Sequence, residues 1–223
     1  MWWKDPNWLV QAAVAIATFL VAFIAVYGDA LKRRLLPPKL SLKLKSDSGE
    51  LTNLSLHDPI SDRVSKAKGR YFHLSVVNEG FSIATNTGVY LTSIMLRGAG
   101  GDWHQKWNGD ALLSWRNGAL YPVLRETGST PIDADFYYLV ENKWLELCVV
   151  EGARSNNIPT DSEPFRPGRW RKQIEMIVTV QAKSTESMSK PYTFNVVWDG
   201  NWEEGDKEIL RHLKIQQTQD MND

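Results

Sequence analysis

The chain has 223 residues, 43% of them hydrophobic and ten of them tryptophan, and 26 Lys and Arg balance 26 Asp and Glu. The zero net charge argues against a basic nucleic-acid binder and against an acidic disordered tail. One cysteine, Cys148, and four scattered histidines exclude a disulfide-stapled scaffold and a Cys-rich metal fold.

The strongest signal comes first. Trp8 to Tyr27 reads WLVQAAVAIATFLVAFIAVY without one charge, and a helix of about 20 such residues spans a bilayer's hydrocarbon core. Trp2, Trp3 and Trp8 on one side and Tyr27 on the other suit the headgroup level. Asp5-Pro6 reads as an N-cap and first helical residue, and Pro37-Pro38 as a stop. The expected helix therefore runs from Pro6 to about Leu35. A cleaved signal peptide is the competing reading, but the start is not basic and the apolar core is long for one.

Charge sets the expected orientation. Lys32, Arg33, Arg34 and Lys39 follow the span, with Lys43 and Lys45 beyond, against one Lys and one Asp before it. The positive-inside rule then places the N-terminus outside and the rest in the cytosol, at the inner (cytoplasmic) membrane. Lys32, Arg33, Arg34 and Lys39 would contact lipid headgroups, or act only as a stop-transfer flank. Within the span, Gln11, Ala15, Thr18, Ala22 and Ala25 form a seam of small and polar residues with period 3.5. Such a face suits helix packing in lipid, against a second copy or another membrane protein. A plain monomeric anchor is the alternative.

From Leu40 onward the pattern alternates with period two. Leu40–Leu44, Tyr71–Val77, Gly88–Leu96, Phe136–Val140, Trp144–Val150, Ile174–Ala182 and Tyr192–Trp198 read as strands with one buried face. Phe136–Val140 and Trp144–Val150 make a hairpin about Glu141-Asn142-Lys143. Asp206 is placed to cap a short helix carrying Ile209, Leu210 and Leu213. Seven to eight antiparallel strands imply a mainly β sandwich, preceded by one transmembrane helix and followed by a short helix. The expected layout is an anchor over 1–36, a sandwich over 37–215 and a polar tail over 216–223.

Three connections are long. Ser46–Arg70 is polar, with a short strand expected at Leu51–Leu56, and Glu151–Arg169 is rich in Pro and Asn. Arg97–Gly118 gathers Trp103, His104, Trp107 and Trp115 among glycines. Those four residues are the candidate partner-binding loop, since aromatic side chains dominate binding surfaces. Alternatively they cover the edge of the sandwich.

Catalytic patterns are sparse. Gly98-Ala99-Gly100-Gly101 lacks the remainder of a nucleotide loop. No Gly-x-Ser-x-Gly or His-Glu-x-x-His occurs. Asp133 and Asp135 share a strand face and would suit a divalent cation, and Cys148 alternates within an apolar strand as a small core residue does. The expectation is a protein without cofactor or metal, not an enzyme and not a nucleic-acid binder. It would present its domain to a protein partner from the membrane. Alternatives are a self-assembling membrane effector or channel subunit, and an enzyme with a site built from Asp102, His104, Asp133 and Asp135.

The strand ending VVNEG, followed by ATNTGVYLTSIM, together with Arg166-Pro167-Gly168-Arg169-Trp170 before a late strand, resembles immunoglobulin-like sandwiches of the CARDB type. The layout is also similar to that of small bacterial proteins with one cytosolic sandwich on a single helix. This resemblance implies a fold and no site residues.

Overall fold

The computed structural model describes residues 6–58, 63–116, 122–125, 130–150 and 169–218. Helix α1 spans Pro6–Leu35, the bounds expected from Pro6 and Pro37. Eleven strands follow among the described residues: β1 Leu40–Leu44, β2 Glu50–Asp58, β3 Arg63–Asn78, β4 Gly88–Arg97, β5 Trp103–Leu112, β6 Ile132–Val140, β7 Trp144–Leu147, β8 Arg169–Trp170, β9 Ile174–Lys183, β10 Tyr192–Trp198 and β11 Leu213–Thr218. Helix α2, Asp206–His212, lies between the last two. One sheet has the order β1-β3-β6-β7-β8, with β2 also paired to β3, and the other the order β11-β10-β9-β4-β5. The pairings are antiparallel.

The alternating residues meet in one core. Phe72, Leu74 and Val76 of β3 are fully buried, as are Met176, Val178, Val180 and Ala182 of β9 and Phe194 and Val196 of β10. Leu40, Leu42, Leu213 and Ile209 of α2 join them. The rings of Phe136 and Phe194 meet between the sheets with centroids 5.1 Å apart. The expected hairpin forms between β6 and β7, with Asn142 at φ +52 in a left-handed conformation that asparagine tolerates.

Four expectations need correction. Ser46–Arg70 holds more strand than expected: the strand at Leu51–Leu56 is present but runs Glu50–Asp58 as β2, and it pairs with a sixteen-residue β3 that starts at Arg63. The sequence hid the start of β3 because Arg63–Gly69 is mostly polar, so alternation has little to mark. The tryptophan-rich segment is likewise the strand β5, at the edge of its sheet. Leu213 does not belong to α2 but opens an unexpected strand, β11, which runs into the expected tail as far as Thr218, paired with Thr193. Its polar end is held by backbone ladder bonds, not by burial. Asp206 does not cap α2: Gly205 is the N-cap residue, and Asp206 turns to Arg70 instead. Most of the Glu151–Arg169 connection, with Arg166-Pro167-Gly168, lies outside the described residues, as do 1–5 and 219–223.

Arg70 explains where α2 sits. Its side chain is fully buried. One guanidinium nitrogen donates to the Ser48 carbonyl (2.9 Å) and to Asp206 (2.8 Å), and the other donates to the Glu204 carbonyl. A buried guanidinium requires such partners, and two of the three here are backbone oxygens. Lys68 reinforces the contact through Glu204 at 2.5 Å. Arg70→Met should leave those carbonyls short of a donor and lower unfolding free energy by about 1–3 kcal/mol. Hydrogen exchange should accelerate first across 204–212 if this account holds.

Candidate functional site

The described part of the chain offers two constellations, one on the outer face of the first sheet and one where α1 meets the domain. The first arises from a fault in the β3–β6 ladder. The register shifts between Phe72 and His73, so that His73 stands opposite Asp135 and Phe72 opposite Tyr137. The extra residue, Phe136, stays in the core, and the polar side chains on either side of the bulge are re-aimed outward. Beside the first half of β6, the chain leaving β5 fills the place that short β7 leaves open. Asp135 N donates to the Ser114 carbonyl and Arg116 N to the Asp133 carbonyl, with Trp115 bridged to Ala134. This crossing brings Ser114 and Arg116 to Asp133 and Asp135.

The result is a cleft of about 360 Å³ lined by Glu50, Thr52, Tyr71, His73, Arg116 and Asp135. Arg116 grips Glu50 with two nitrogens, at 3.0 and 2.6 Å. Lys45 bridges Asp133 (2.7 Å) and Glu50 (3.0 Å). His73, almost wholly buried, holds Asp135 through Nδ1 at 2.9 Å, and its Nε2 lies 3.7 Å from Glu50. Ser114 Oγ is 3.5 Å from the other Asp135 oxygen. Tyr71 stacks on His73 with planes 5° apart and on Tyr138, whose hydroxyl donates to Glu146 at 2.5 Å.

The electrostatics follow from these contacts. The Arg116 guanidinium holds the Glu50 carboxyl below its ordinary range, and in return Glu50 raises Arg116. Asp133, then Glu50, raises the Lys45 ammonium. Glu50, Asp133 and Asp135 outnumber Lys45 and Arg116 by one charge, with His73 between them. The cleft therefore carries a surplus of negative charge. Cys148 lies beneath, with its N–H bonded to the Phe136 carbonyl and its own carbonyl accepting from Ser114 N. Burial pushes its thiol well above the usual range, which leaves it unreactive at neutral pH.

Of the sequence candidates, Asp133 and Asp135 do share a face, but their oxygens are taken by Lys45, His73 and Ser114. Among the described residues no group of three His, Cys, Asp or Glu side chains could hold a metal. Asp102 and His104 lie at the start of β5 in the other sheet and do not join them. The tryptophans divide. Trp107 and Trp115 are buried in the core, whereas Trp103 is partly exposed and His104 exposed. Sequence reasoning missed Glu50, His73, Arg116 and Lys45. Only the bulge and the crossing bring them together, and neither leaves a local pattern.

The second constellation is a joint. Helix α1 contains a stretch, Asn7–Gly28, long and apolar enough to cross a membrane, and none of it is covered by the rest of the chain. Gln11, Ala15, Thr18, Ala22 and Ala25 are all exposed on it. Thr18 bonds back to the Val14 carbonyl at 2.8 Å, which leaves Gln11 as the seam's open hydrogen-bonding side chain. Phe19, Phe23 and Tyr27 stack successively on another face. Lys32, Arg33 and Arg34 belong to the last turns of α1, and Lys39 pairs with Glu79 at 3.7 Å.

Below that helix, fully buried Asn78 joins three segments. Its Oδ1 accepts from Lys39 N (3.1 Å) and Gly80 N (2.9 Å), and its Nδ2 donates to the carbonyls of Ser82 (2.6 Å) and Arg125 (3.0 Å). Ser82 Oγ in turn donates to the Leu36 carbonyl at 2.5 Å. Gly80 is required by close approach: a Cβ there would stand 2.4 Å from Lys39 N and 2.6 Å from the Pro37 carbonyl.

A carboxyl held low in the folded state stabilises above its unfolded pKa, and that contribution is lost as pH falls through the folded value. Wild-type thermal stability should therefore fall with acid below about pH 4.3, and Glu50→Gln should flatten that limb while lowering stability at neutral pH. An unchanged acid limb in Glu50→Gln would separate Glu50 from it.

Comparison with known proteins adds no relative: no family model matches the chain, and no curated protein matches it.

Proposed function

We propose that the chain is a membrane-anchored, non-catalytic interaction protein. Helix α1 crosses the inner membrane with its N-terminus outside, and the β domain faces a protein partner in the cytosol. One observation carries this reading: an uncovered apolar helix runs without a flexible linker into a β domain through the bonds of Asn78. A free spacer would serve a diffusing enzyme domain equally well, whereas a fixed joint serves to present one surface at a set height. The basic residues after the span support the orientation. The two antiparallel sheets around one core support an immunoglobulin-like reading of the domain.

The partner surface is read as the outer edge of β5. Among the described residues that strand is the sheet's edge, paired with β4, and on its other side its last residue, Leu112, accepts from Val150 N. It offers the backbone of an edge strand together with Trp103 and His104, the combination that strand addition uses. The seam of α1 suits a second helix, from a partner or from another copy.

In-cell crosslinking of the full-length chain, followed by mass spectrometry, tests the reading. A stoichiometric partner should be captured by wild type and lost from the Trp103→Ala/His104→Ala variant, whose melting temperature should stay near that of wild type. Trp107→Ala, by contrast, should lose about 3–5 kcal/mol of stability. Capture that survives loss of Trp103 and His104 would move the surface elsewhere. If the helix seam carries self-association, Ala15→Leu/Ala22→Leu should abolish crosslinked dimers. Dimers that persist in that variant would remove the seam from the account.

A further inference from the structure

The end of the domain that receives α1 is unusual in what it exposes. The segment after Asn78 alternates. Gly80, Ser82 and Ala84 are buried against the helix end and the core, while Phe81 is 60% exposed and Ile83 38% exposed. Ala84 is bridged to Leu124, so that the neighbouring Val123, 54% exposed, stands on the same outward side as Ile83. Exposed Arg125 follows in that segment. The turn's one carboxylate, Glu79, is engaged by Ser41 at 3.0 Å and Lys39 at 3.7 Å. Three large apolar side chains thus protrude beside the helix exit, among Lys32, Arg34, Lys39 and Arg125.

Their height along the helix is fixed. Ser82 Oγ lies 3.4 Å from the Lys32 carbonyl and bonds that of Leu36. Phe81 and Ile83 flank it in sequence, so they sit beside the last turn of α1. Lys32 is four residues past Gly28, about 6 Å of helix. The polar headgroup layer is itself about 5–7 Å deep on each side of the hydrocarbon core.

We propose that Phe81, Ile83 and Val123 form a lipid-contacting base, seated in the headgroup layer of the bilayer that α1 crosses. Apolar side chains ringed by Lys and Arg are the composition that binds an anionic membrane surface. With this contact the sandwich has a second point of attachment besides the helix, and the membrane fixes its tilt. The inference rests on α1 being a transmembrane span.

The test uses the full-length chain in vesicles of phosphatidylcholine and phosphatidylglycerol in equal parts. An environment-sensitive fluorophore is placed in turn on Phe19→Cys, Phe81→Cys, Ile83→Cys and Val64→Cys, and lipid brominated along the acyl chains serves as quencher. Cys148 is buried and stays unlabelled. Labels at 19, 81 and 83 should be quenched and blue-shifted, most strongly at 19, while the label at 64, on the distant β2–β3 arm, should keep its aqueous emission. Quenching at 19 with aqueous emission at 81 and 83 would overturn the inference and leave the anchor standing. Aqueous emission at 19 as well would overturn both.

Discussion

The arrangement of the whole molecule depends on one side-chain amide. Asn78 uses both lone pairs of its oxygen and both hydrogens of its nitrogen, and each bond goes to a different backbone position. It is fully buried, so each of these bonds would be costly to leave unmade. Through them the end of β3, the segment entering β1, the turn toward β4 and the 122–125 segment become one rigid corner. The helix is fastened to that corner by Ser82 and by the tight passage of Gly80 past Pro37 and Lys39. Without it, α1 and the sandwich would be two bodies on a short hinge.

The outer face of the first sheet is organised differently, by a fault in regularity. A perfect β3–β6 ladder would set Phe136 opposite His73 and Asp135 opposite Leu74, away from the histidine. The bulge at Phe136 changes the phase, and the chain leaving β5 supplies Arg116 to a face that already carries two aspartates. Carboxylates next to one another are stable there only because Lys45 and Arg116 lie between them. Structural pairing thus accounts for most of this charge.

Much of this was legible in the sequence. The uninterrupted apolar run and its two flanking prolines gave the bounds of α1. The faces of β3, β9 and β10 followed from alternation, because a half-buried strand must separate polar from apolar side chains. Asn78-Glu79-Gly80 was readable as a turn, though not as the joint to the helix. What escaped was set by long-range pairing. The polar start of β3 buries too little to show a pattern, and Trp107 looked like a surface residue because its glycine-rich neighbourhood resembles a loop. The partnership of His73 with Asp135 depends on register, which a single sequence does not encode locally.

A fixed joint between helix and sandwich is the central claim, and a distance distribution tests it most directly. Spin labels on Ile24→Cys, in the span, and Met188→Cys, on the domain, can be measured by pulsed dipolar spectroscopy on the full-length chain in vesicles. Both positions are well exposed, and the buried Cys148 thiol does not compete for label. The account predicts one narrow distribution, no wider than the label's own rotamers produce. A broad distribution in the doubly labelled chain would contradict it, and would make the sandwich a tethered domain free to reorient.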